Sequence, residues 1–343
     1  MGAWRFDGHL AVAIPDITRP LDARPALRAL QDRTRRMTVT IGLGLHRPMT
    51  DAELAPLAPF APLQSDPDDV VSTADVDGIP GQLFRPMARC DAILSVGIAE
   101  LHQYAGISGG HKGASVGCGG RATIAALHHR DRVLAPGIEL GRLEGNPFRA
   151  AVDALGEAAG CRFALLYVPA TEEWLFGDPV AVTQAALPRL NPWRWVTERA
   201  PGARLSVPTA KAASLYQASR AATYLALSPN PPLKAGAVLC IEAACPEGLG
   251  AEAGFRAALQ AHRPPWQALL DGPPPEGAGA QRAVMMALMA RRYPLQIVGC
   301  ADPAAFQAIG IDAKEEVPPL HDRWLPIASP FHILPQLRST SPI

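Results

Sequence analysis

Short apolar runs alternate with amphipathic segments along most of the chain. The runs, which predict buried strands, lie at residues 10–14, 38–43, 91–96, 162–168, 237–243 and 295–299. Apolar residues recur at helical spacing at residues 26–37, 122–129, 214–227 and 283–291. Strands that alternate with helices favour parallel sheets with helices on both faces. The pattern therefore predicts an α/β protein.

A proline-rich stretch at residues 188–208 divides this pattern into two halves. We predict two α/β lobes with largely parallel sheets and an active-site cleft between them. The N-terminal cofactor-binding domain is expected over residues 1–190 and the C-terminal domain over 205–318. The tail, from about residue 322 to 343, is expected to return to the first domain. A chain of 343 residues is long enough for two such cores.

Composition excludes several classes of partner. Lysine plus arginine and aspartate plus glutamate number 32 each, so no overall charge attracts a polyanion such as nucleic acid. No uninterrupted apolar stretch is long enough to span a membrane, and the first residues do not have the pattern of a signal peptide. The six cysteines are scattered without a CxxC pair, which is typical of reduced thiols. We expect a cytoplasmic protein that binds neither nucleic acid nor membrane.

Three polar motifs each follow a predicted strand. They are DITRP at residues 16–20, GLHRPMT at 44–50 and HQYAGISGGHK at 102–112. Ligands of open α/β sheets bind outside the carboxyl ends of the strands, so we expect the three motifs to converge. Histidine exchanges protons near neutral pH, which makes His46 and His102 candidate acid–base groups. Arginine binds carboxylates through its planar fork, and Arg47 is a candidate substrate contact.

Taken together, these motifs resemble those of the nickel-pincer-nucleotide lactate racemase family, and LYQASR at residues 215–220 is similar to its YQxxK element. The resemblance implies that Lys112 covalently holds a cofactor of the Ni(II)-pyridinium-3,5-bisthiocarboxylic acid mononucleotide type. It implies that His128 is the nickel ligand and that His46 and His102 are the catalytic pair. The remaining implied contacts are those of Asp16, Ile17, Thr18 and Arg19 with the nucleotide, and those of Gln217 and Arg220 with the substrate.

The chain departs from the family pattern at several positions. His111 stands where the family commonly has arginine, and Val116-Gly117 replaces a proline-glycine step. Arg220 replaces a lysine, VPTAKAAS replaces a Gly-Gly-Tyr-Pro-like stretch, and AGAQRAVMM lacks a pocket tryptophan. The residues implied to hold the cofactor are largely intact. We therefore predict a 2-hydroxy acid other than lactate as the small-molecule substrate.

The implied activity is racemisation or epimerisation of a 2-hydroxy acid. The α C–H beside a carboxylate is only weakly acidic, so moving this hydrogen as hydride avoids a carbanion, while a base removes the hydroxyl proton. Cofactor-synthesis enzymes would be needed for activation.

Two other functions stay open: a pincer-nucleotide carrier without turnover, and a zinc hydrolase using His102, His111 and His128. His129, about 100° from His128 on a helix, is the alternative nickel ligand.

Overall fold

The computed structural model describes residues 2–338, which divide into two compact units. The N-terminal unit comprises the chain up to His128 together with Arg132–Asn191, and the C-terminal unit comprises His129–Asp131 and the chain from Pro192 onwards. Each unit is built on a sheet whose strands are largely parallel. The predicted α/β class is confirmed. No helix in the described range is both long and apolar enough to cross a bilayer.

The N-terminal unit is built on a six-stranded sheet in the order β10-β9-β6-β1-β2-β3, parallel except for β10. Its strands are β1 (Phe6–Pro15), β2 (Thr34–Gly42), β3 (Leu63–Gln64), β4 (Val70–Ser72), β5 (Gln82–Phe84), β6 (Ala92–Ile98), β7 (Leu101–His102), β8 (Gly106–Ile107), β9 (Cys161–Val168) and β10 (Glu173–Gly177). The helices are α1 (Arg24–Gln31), α2 (Asp51–Leu54), α3 (Arg121–Leu127), α4 (Arg130–Val133, which straddles the division), α5 (Pro147–Ala158) and α6 (Pro179–Leu190).

The C-terminal unit has a parallel five-stranded sheet in the order β15-β14-β13-β12-β16, and a separate parallel pair, β11 and β17. Its strands are β11 (Trp193–Val196), β12 (Ala200–Ser206), β13 (Leu233–Glu242), β14 (Leu295–Val298), β15 (Asp312–Lys314), β16 (Leu325–Ile327) and β17 (Leu334–Leu337). The helices are α7 (Leu215–Ala226), α8 (Ala253–Ala261), α9 (Ala268–Asp271), α10 (Ala280–Ala290) and α11 (Pro303–Gln307).

Strand β1 explains how the N-terminal sheet is packed. Its side chains alternate between two faces, as in any strand. Leu10 and Ile14 enter one apolar cluster, whereas the small side chains of Ala11 and Ala13 enter another that contains Ala114. Ala114 belongs to a π-helical turn, Gly113–Gly117. Small residues on this face of the sheet allow the turn to come close to it.

Glycines in the turn and in β2 also allow the turn to come close to the sheet. A Cβ on Gly113 would lie 2.2 Å from the Ser95 hydroxyl oxygen of β6, and one on Gly42 would lie 3.0 Å from the Gly117 backbone. The first separation is too short for a real Cβ, and the second is tighter than most real Cβ contacts. The turn that begins directly after Lys112 is therefore seated against the sheet.

Two sequence-based predictions in the N-terminal unit need correction. The helix expected over residues 26–37 ends at Gln31, because Thr34 to Met37 pair in parallel with β1 and so begin β2. Residues 64–90, expected to hold one edge strand at most, contain the antiparallel hairpin of β4 and β5. Hydrogen bonding to a distant strand overrode the local helical spacing in the first case.

The described strands of the tail pair with strands of the C-terminal unit. Strand β16 pairs with β12, and β17 pairs with β11, so the described part of the tail belongs to the C-terminal unit. Residues beyond 338 lie outside the described range. The proline-rich stretch at 188–208 is also more regular than expected, since it includes all of β11 and β12.

Candidate active site

Three motif loops lie side by side at one edge of the N-terminal sheet. Strand β1 pairs in parallel with β2 on one side and with β6 on the other. Asp16 follows β1, His46 follows β2, and His102 follows β6. Carboxyl ends of neighbouring parallel strands share an edge. The sequence pattern correctly indicated that these loops are neighbours.

Asp16 and His46 form a hydrogen-bonded pair across two of these loops. Nδ1 of His46 lies 2.7 Å from Oδ2 of Asp16, whose side chain is 6% exposed. The other carboxylate oxygen accepts the backbone N–H and the hydroxyl of Thr18, at 3.1 and 2.6 Å. An ionised carboxylate only accepts, so Nδ1 of His46 carries the proton. In the neutral ring Nε2 then has the lone pair and is the basic atom.

The electrostatics of Asp16 agree with this assignment. Burial by itself would raise the pKa of the carboxyl, but the hydrogen bonds from His46 and Thr18 and the charge of Arg19 lower the pKa to about 2. Asp16 is thus ionised at neutral pH and holds His46 in one tautomer. The family resemblance assigned Asp16 to the nucleotide, but the contacts give its carboxylate a positioning function toward His46.

His102 is held in the opposite tautomer. Its Nδ1 accepts the backbone N–H groups of Tyr104 and Ala105, at 3.3 and 3.1 Å. Since a nitrogen that accepts has no proton, the neutral ring carries its proton on Nε2. His46 therefore offers an acceptor through Nε2, and His102 offers a donor through Nε2. The two rings thus have opposite hydrogen-bonding functions at Nε2.

His128 is oriented by a hydrogen bond at the end of α3. It caps the C-terminus of α3, and its Nδ1 lies 2.8 Å from the carbonyl oxygen of Ile124. A carbonyl only accepts, so Nδ1 is protonated and Nε2 has the lone pair. The ring packs on Tyr104, at 5.7 Å between centroids, and His102 packs on the same tyrosine at 5.7 Å. His128 and His102 therefore share one aromatic cluster.

His129, the alternative ligand, has different surroundings. Its side chain is 49% exposed, and its Nδ1 lies 3.8 Å from Asp131. Helix α3 ends before it, so His128 and His129 do not share the helix that the sequence predicted. The geometry favours His128.

Lys112 follows two glycines that have left-handed backbone conformations. Gly109 and Gly110 have φ of 95° and 62°, and a Cβ on Gly110 would meet the Arg149 guanidinium. Arg149 donates to Asp153, which also pairs with Nδ1 of His111 at 3.0 Å. Burial opposes ionisation of Asp153, but these hydrogen bonds lower its pKa. These contacts attach the loop that contains Lys112 to helix α5.

Two of the predicted anion-binding arginines are engaged with carboxylates. Arg47 makes a two-point contact with Glu53 at 2.8 and 2.9 Å, next to Thr50, which caps α2. The contact of Arg47 with a substrate stays a prediction. Arg19 lies 3.3 Å from the buried Glu100. Ile17, in the same DITRP motif as Arg19, is 42% exposed.

The predicted substrate contacts Gln217 and Arg220 lie on α7 in the C-terminal unit, and both side chains are buried. Arg220 donates to the side-chain oxygen of Gln217. Their function toward the substrate stays a prediction.

A zinc site made of His102, His111 and His128 has no support in the described residues. No group of three potential metal-ligating side chains comes together there, and His111 is bonded to Asp153. A catalytic zinc ordinarily requires three protein ligands.

No sequence motif indicates several of the residues that surround the site. Phe148 packs on His128 and Tyr104, and Asn146 donates to the Tyr104 carbonyl while capping α5. The Asn-Pro step at 146–147 is a helix-start pattern that indicates α5. Nothing local indicates which loop this helix supports.

We expect Asp16→Asn to lower kcat by about 10–100-fold, since partners that orient a functional histidine typically contribute this much. Asparagine can offer its amide N–H to the ring, which removes the preference for the tautomer with a basic Nε2. Steady-state kinetics would measure the loss, and Asp22→Asn, at an exposed ion pair with Arg24, is the matched control. Unchanged kcat would contradict the positioning function.

Asp16→Asn should also change how the free energy of unfolding depends on pH. A carboxyl with a lowered pKa stabilises the fold above its ordinary value of 3.8, and this contribution disappears as the pH falls toward about 2. Asp16 should contribute about 2 kcal/mol at neutral pH. Urea unfolding should show that Asp16→Asn lowers the free energy of unfolding at pH 7 and flattens its decline between about pH 4 and pH 2.

The fold and the site define a class: α/β proteins of two units in which two histidines follow strand ends of the first unit. Residues 4–141 match the family model described as the lactate racemase N-terminal domain. The match covers the part of the chain that carries the three motifs.

Solved structures share the fold. The lactate racemase apoprotein of Thermoanaerobacterium thermosaccharolyticum is 18% identical with a TM-score of 0.81, covering 96% of this chain and 87% of that one. A Thermotoga maritima protein from a structural genomics consortium is 14% identical with a TM-score of 0.74, covering 98% and 94%. No curated protein sequence matches the chain.

Proposed function

We propose that the protein is a racemase or epimerase of a 2-hydroxy acid other than lactate, and that it works with a nickel-pincer nucleotide. The observation that carries the proposal is the pair of opposite tautomers that the Nδ1 contacts indicate: Nε2 of His46 is set as an acceptor and Nε2 of His102 as a donor. Transfer of the α-hydrogen as hydride needs a base that takes the hydroxyl proton and gives it back, and a hydrogen-bond donor stabilises the charge that develops on the oxygen.

The residues present fit the proposed cofactor. His128 has its Nε2 lone pair set by the hydrogen bond to the Ile124 carbonyl, the usual second contact of a metal-binding imidazole. Lys112 follows glycines with left-handed backbone conformations, and it is only partly buried. Lys112 would hold the group covalently, and His128 would bind nickel. Asp16, Ile17, Thr18 and Arg19 would lie along its nucleotide part. When bound, this group supplies the acceptor for the α-hydrogen.

The chain's own residues supply the proton chemistry. Nε2 of His46 takes the hydroxyl proton of the substrate, and the imidazolium that forms is stabilised by the buried Asp16 carboxylate. Nε2–H of His102 donates a hydrogen bond to the same oxygen, and the His46 imidazolium gives its proton back to that oxygen once the hydrogen has returned to carbon. The main-chain amides of Tyr104 and Ala105 keep His102 oriented throughout.

A carrier of the nucleotide without turnover is the competing function. Such a protein needs Lys112 and His128 but has no use for an ionised aspartate buried against a second histidine. The Asp16–His46 pair therefore favours the enzyme. No described feature specifically favours the carrier.

Intact-mass measurement tests the proposal. The protein would be co-expressed with pincer-cofactor synthesis enzymes, digested, and mapped by peptide. We expect a mass increment on the Lys112 peptide that disappears in Lys112→Ala, with nickel bound and with racemisation of 2-hydroxy acids. Lys234→Ala, at an exposed lysine, is the control. An unmodified Lys112 would refute the cofactor, and a modified protein without turnover on any 2-hydroxy acid would support the carrier.

A further inference from the structure

A cavity of about 510 Å³ lies within the C-terminal unit, at the amino ends of two strands. Leu295 begins β14 and Asp312 begins β15, and both residues line the cavity. The predicted substrate contacts on α7 instead follow the carboxyl end of β12, in the same parallel sheet. The cavity is therefore at the other edge of this sheet. Its volume is in the range of small-molecule binding sites.

Two contacts fix the wall of the cavity that contains Trp266. The guanidinium of Arg263 donates to the carbonyl of Ala308. Pro264 packs against Gly310, where a Cβ would lie only 2.8 Å from the proline ring. These contacts attach the segment that contains Trp266 to the turn before β15. The cavity is thus already formed in the folded chain, as small-molecule sites usually are.

Much of the cavity lining is apolar. Trp266, Leu295 and Ile311 are buried, and three prolines also line the cavity. Trp266 has a left-handed φ of 53°, which is uncommon for a bulky residue and recurs at ligand sites. Its buried indole N–H has no acceptor within residues 2–338. A buried indole N–H usually has an acceptor, and a ligand oxygen would provide one.

Two arginines set the charge of the lining. Arg291 and Arg292 directly follow α10, and both are exposed residues that line the cavity. In the part of the chain that the structure describes, neither guanidinium has an acidic or hydrogen-bonding partner. Asp312 is the acid in the lining, and its carboxylate accepts from the amide of Gln296. Two cations against one anion favour a negatively charged ligand.

We propose that this cavity is a binding site for an aromatic carboxylic acid. The apolar lining suits the ring, and a guanidinium binds a carboxylate through two hydrogen bonds or stacks on an aromatic face. A neutral aromatic ligand would leave the two arginines without an anion, and a small aliphatic acid would leave the apolar lining uncovered. None of these residues belongs to the proposed active site, so the acid would bind together with a 2-hydroxy acid rather than in its place.

Isothermal titration calorimetry on the full-length chain tests the proposal with three probes. Benzoate has both a ring and a charge, benzamide has the ring without the charge, and acetate has the charge without the ring. We expect benzoate to bind with a Kd of about 1 mM or below. Benzamide and acetate should each bind at least about 10-fold more weakly, because each lacks one of the two features that the lining recognises.

Variants of the two arginines test the location. Arg291→Gln combined with Arg292→Gln should weaken benzoate binding by about 10-fold or more, since the charge-assisted hydrogen bonds are lost. Both side chains are exposed, so we expect this variant to fold, and thermal unfolding would check it. Arg194→Gln, at an exposed arginine of the same unit, is the matched control and should keep the wild-type affinity.

Two results would overturn the proposal. The first is a wild-type chain that binds no benzoate, or that binds all three probes with similar affinity, and this result depends on no variant. The second is a folded double variant with the wild-type affinity for benzoate, because the acid would then bind elsewhere.

Discussion

Loss of either imidazole of the acid–base pair should lower turnover by about 10²–10⁴-fold, the range that general acid–base groups contribute. His46→Ala removes the imidazole that the Asp16 carboxylate orients through Nδ1. His102→Ala removes a ring oriented by two main-chain amides. Because neither histidine is expected to hold the cofactor, both variants should retain the Lys112 adduct and the nickel. Kinetics with each antipode, and metal content in the same sample, would measure the effect.

Thermodynamics adds an internal check to this experiment. The equilibrium constant between the two isomers fixes the ratio of their kcat/KM values, so each variant must reduce the two values by the same factor. His321→Ala, which removes an exposed histidine of the C-terminal unit, should leave both unchanged. Near-normal turnover in His46→Ala or His102→Ala would exclude that residue as an acid–base group. Loss of the nucleotide from the variant would instead indicate a binding function.

Removal of the proposed nickel ligand should have the second large effect. His128→Ala should lower nickel affinity by more than about 100-fold, since loss of a direct ligand exceeds the 10–100-fold effect of a residue that only orients one. The Lys112 adduct should persist, because the covalent bond does not involve His128. Elemental analysis would report the metal, and peptide mapping would report the adduct.

The neighbouring histidine provides the control for this variant. His129 is half exposed and its Nδ1 lies 3.8 Å from Asp131, so His129→Ala should keep its nickel. The reverse result, with nickel lost from His129→Ala and kept in His128→Ala, would move the ligand by one residue. Loss of nickel from neither variant would exclude both histidines as ligands.

Local pattern was sufficient to predict the parts of the fold that depend on burial. The run at residues 10–14 is a central strand because its apolar side chains fill clusters on both faces of the sheet. Local pattern was not sufficient where pairing with a strand distant in sequence determines the secondary structure. Residues 34–37 fit the spacing of the preceding helix, but hydrogen bonds to β1 make them a strand.

The same distinction applies to the candidate site. Strand-end position and residue type were enough to single out His46 and His102, and the motif resemblance pointed to His128. The tautomers depend on what each ring nitrogen contacts, and the partner of His46 lies on another strand-end loop. Phe148 is a still clearer case, since its packing on His128 and Tyr104 joins segments that are distant in sequence. Such contacts exist only once the chain has folded, and no spacing rule gives them.

The two acid–base histidines differ in what holds their rings. His46 is oriented by a side chain, whereas His102 is oriented by backbone amides, which every residue other than proline provides. A single base change in the Asp16 codon is enough to release the first ring, but substitutions around the second leave its amide donors in place. Directed evolution toward new hydroxy acids should therefore be able to change the residues around His102 without changing the orientation of its ring. Substitutions at Asp16 should instead change the proton affinity of His46.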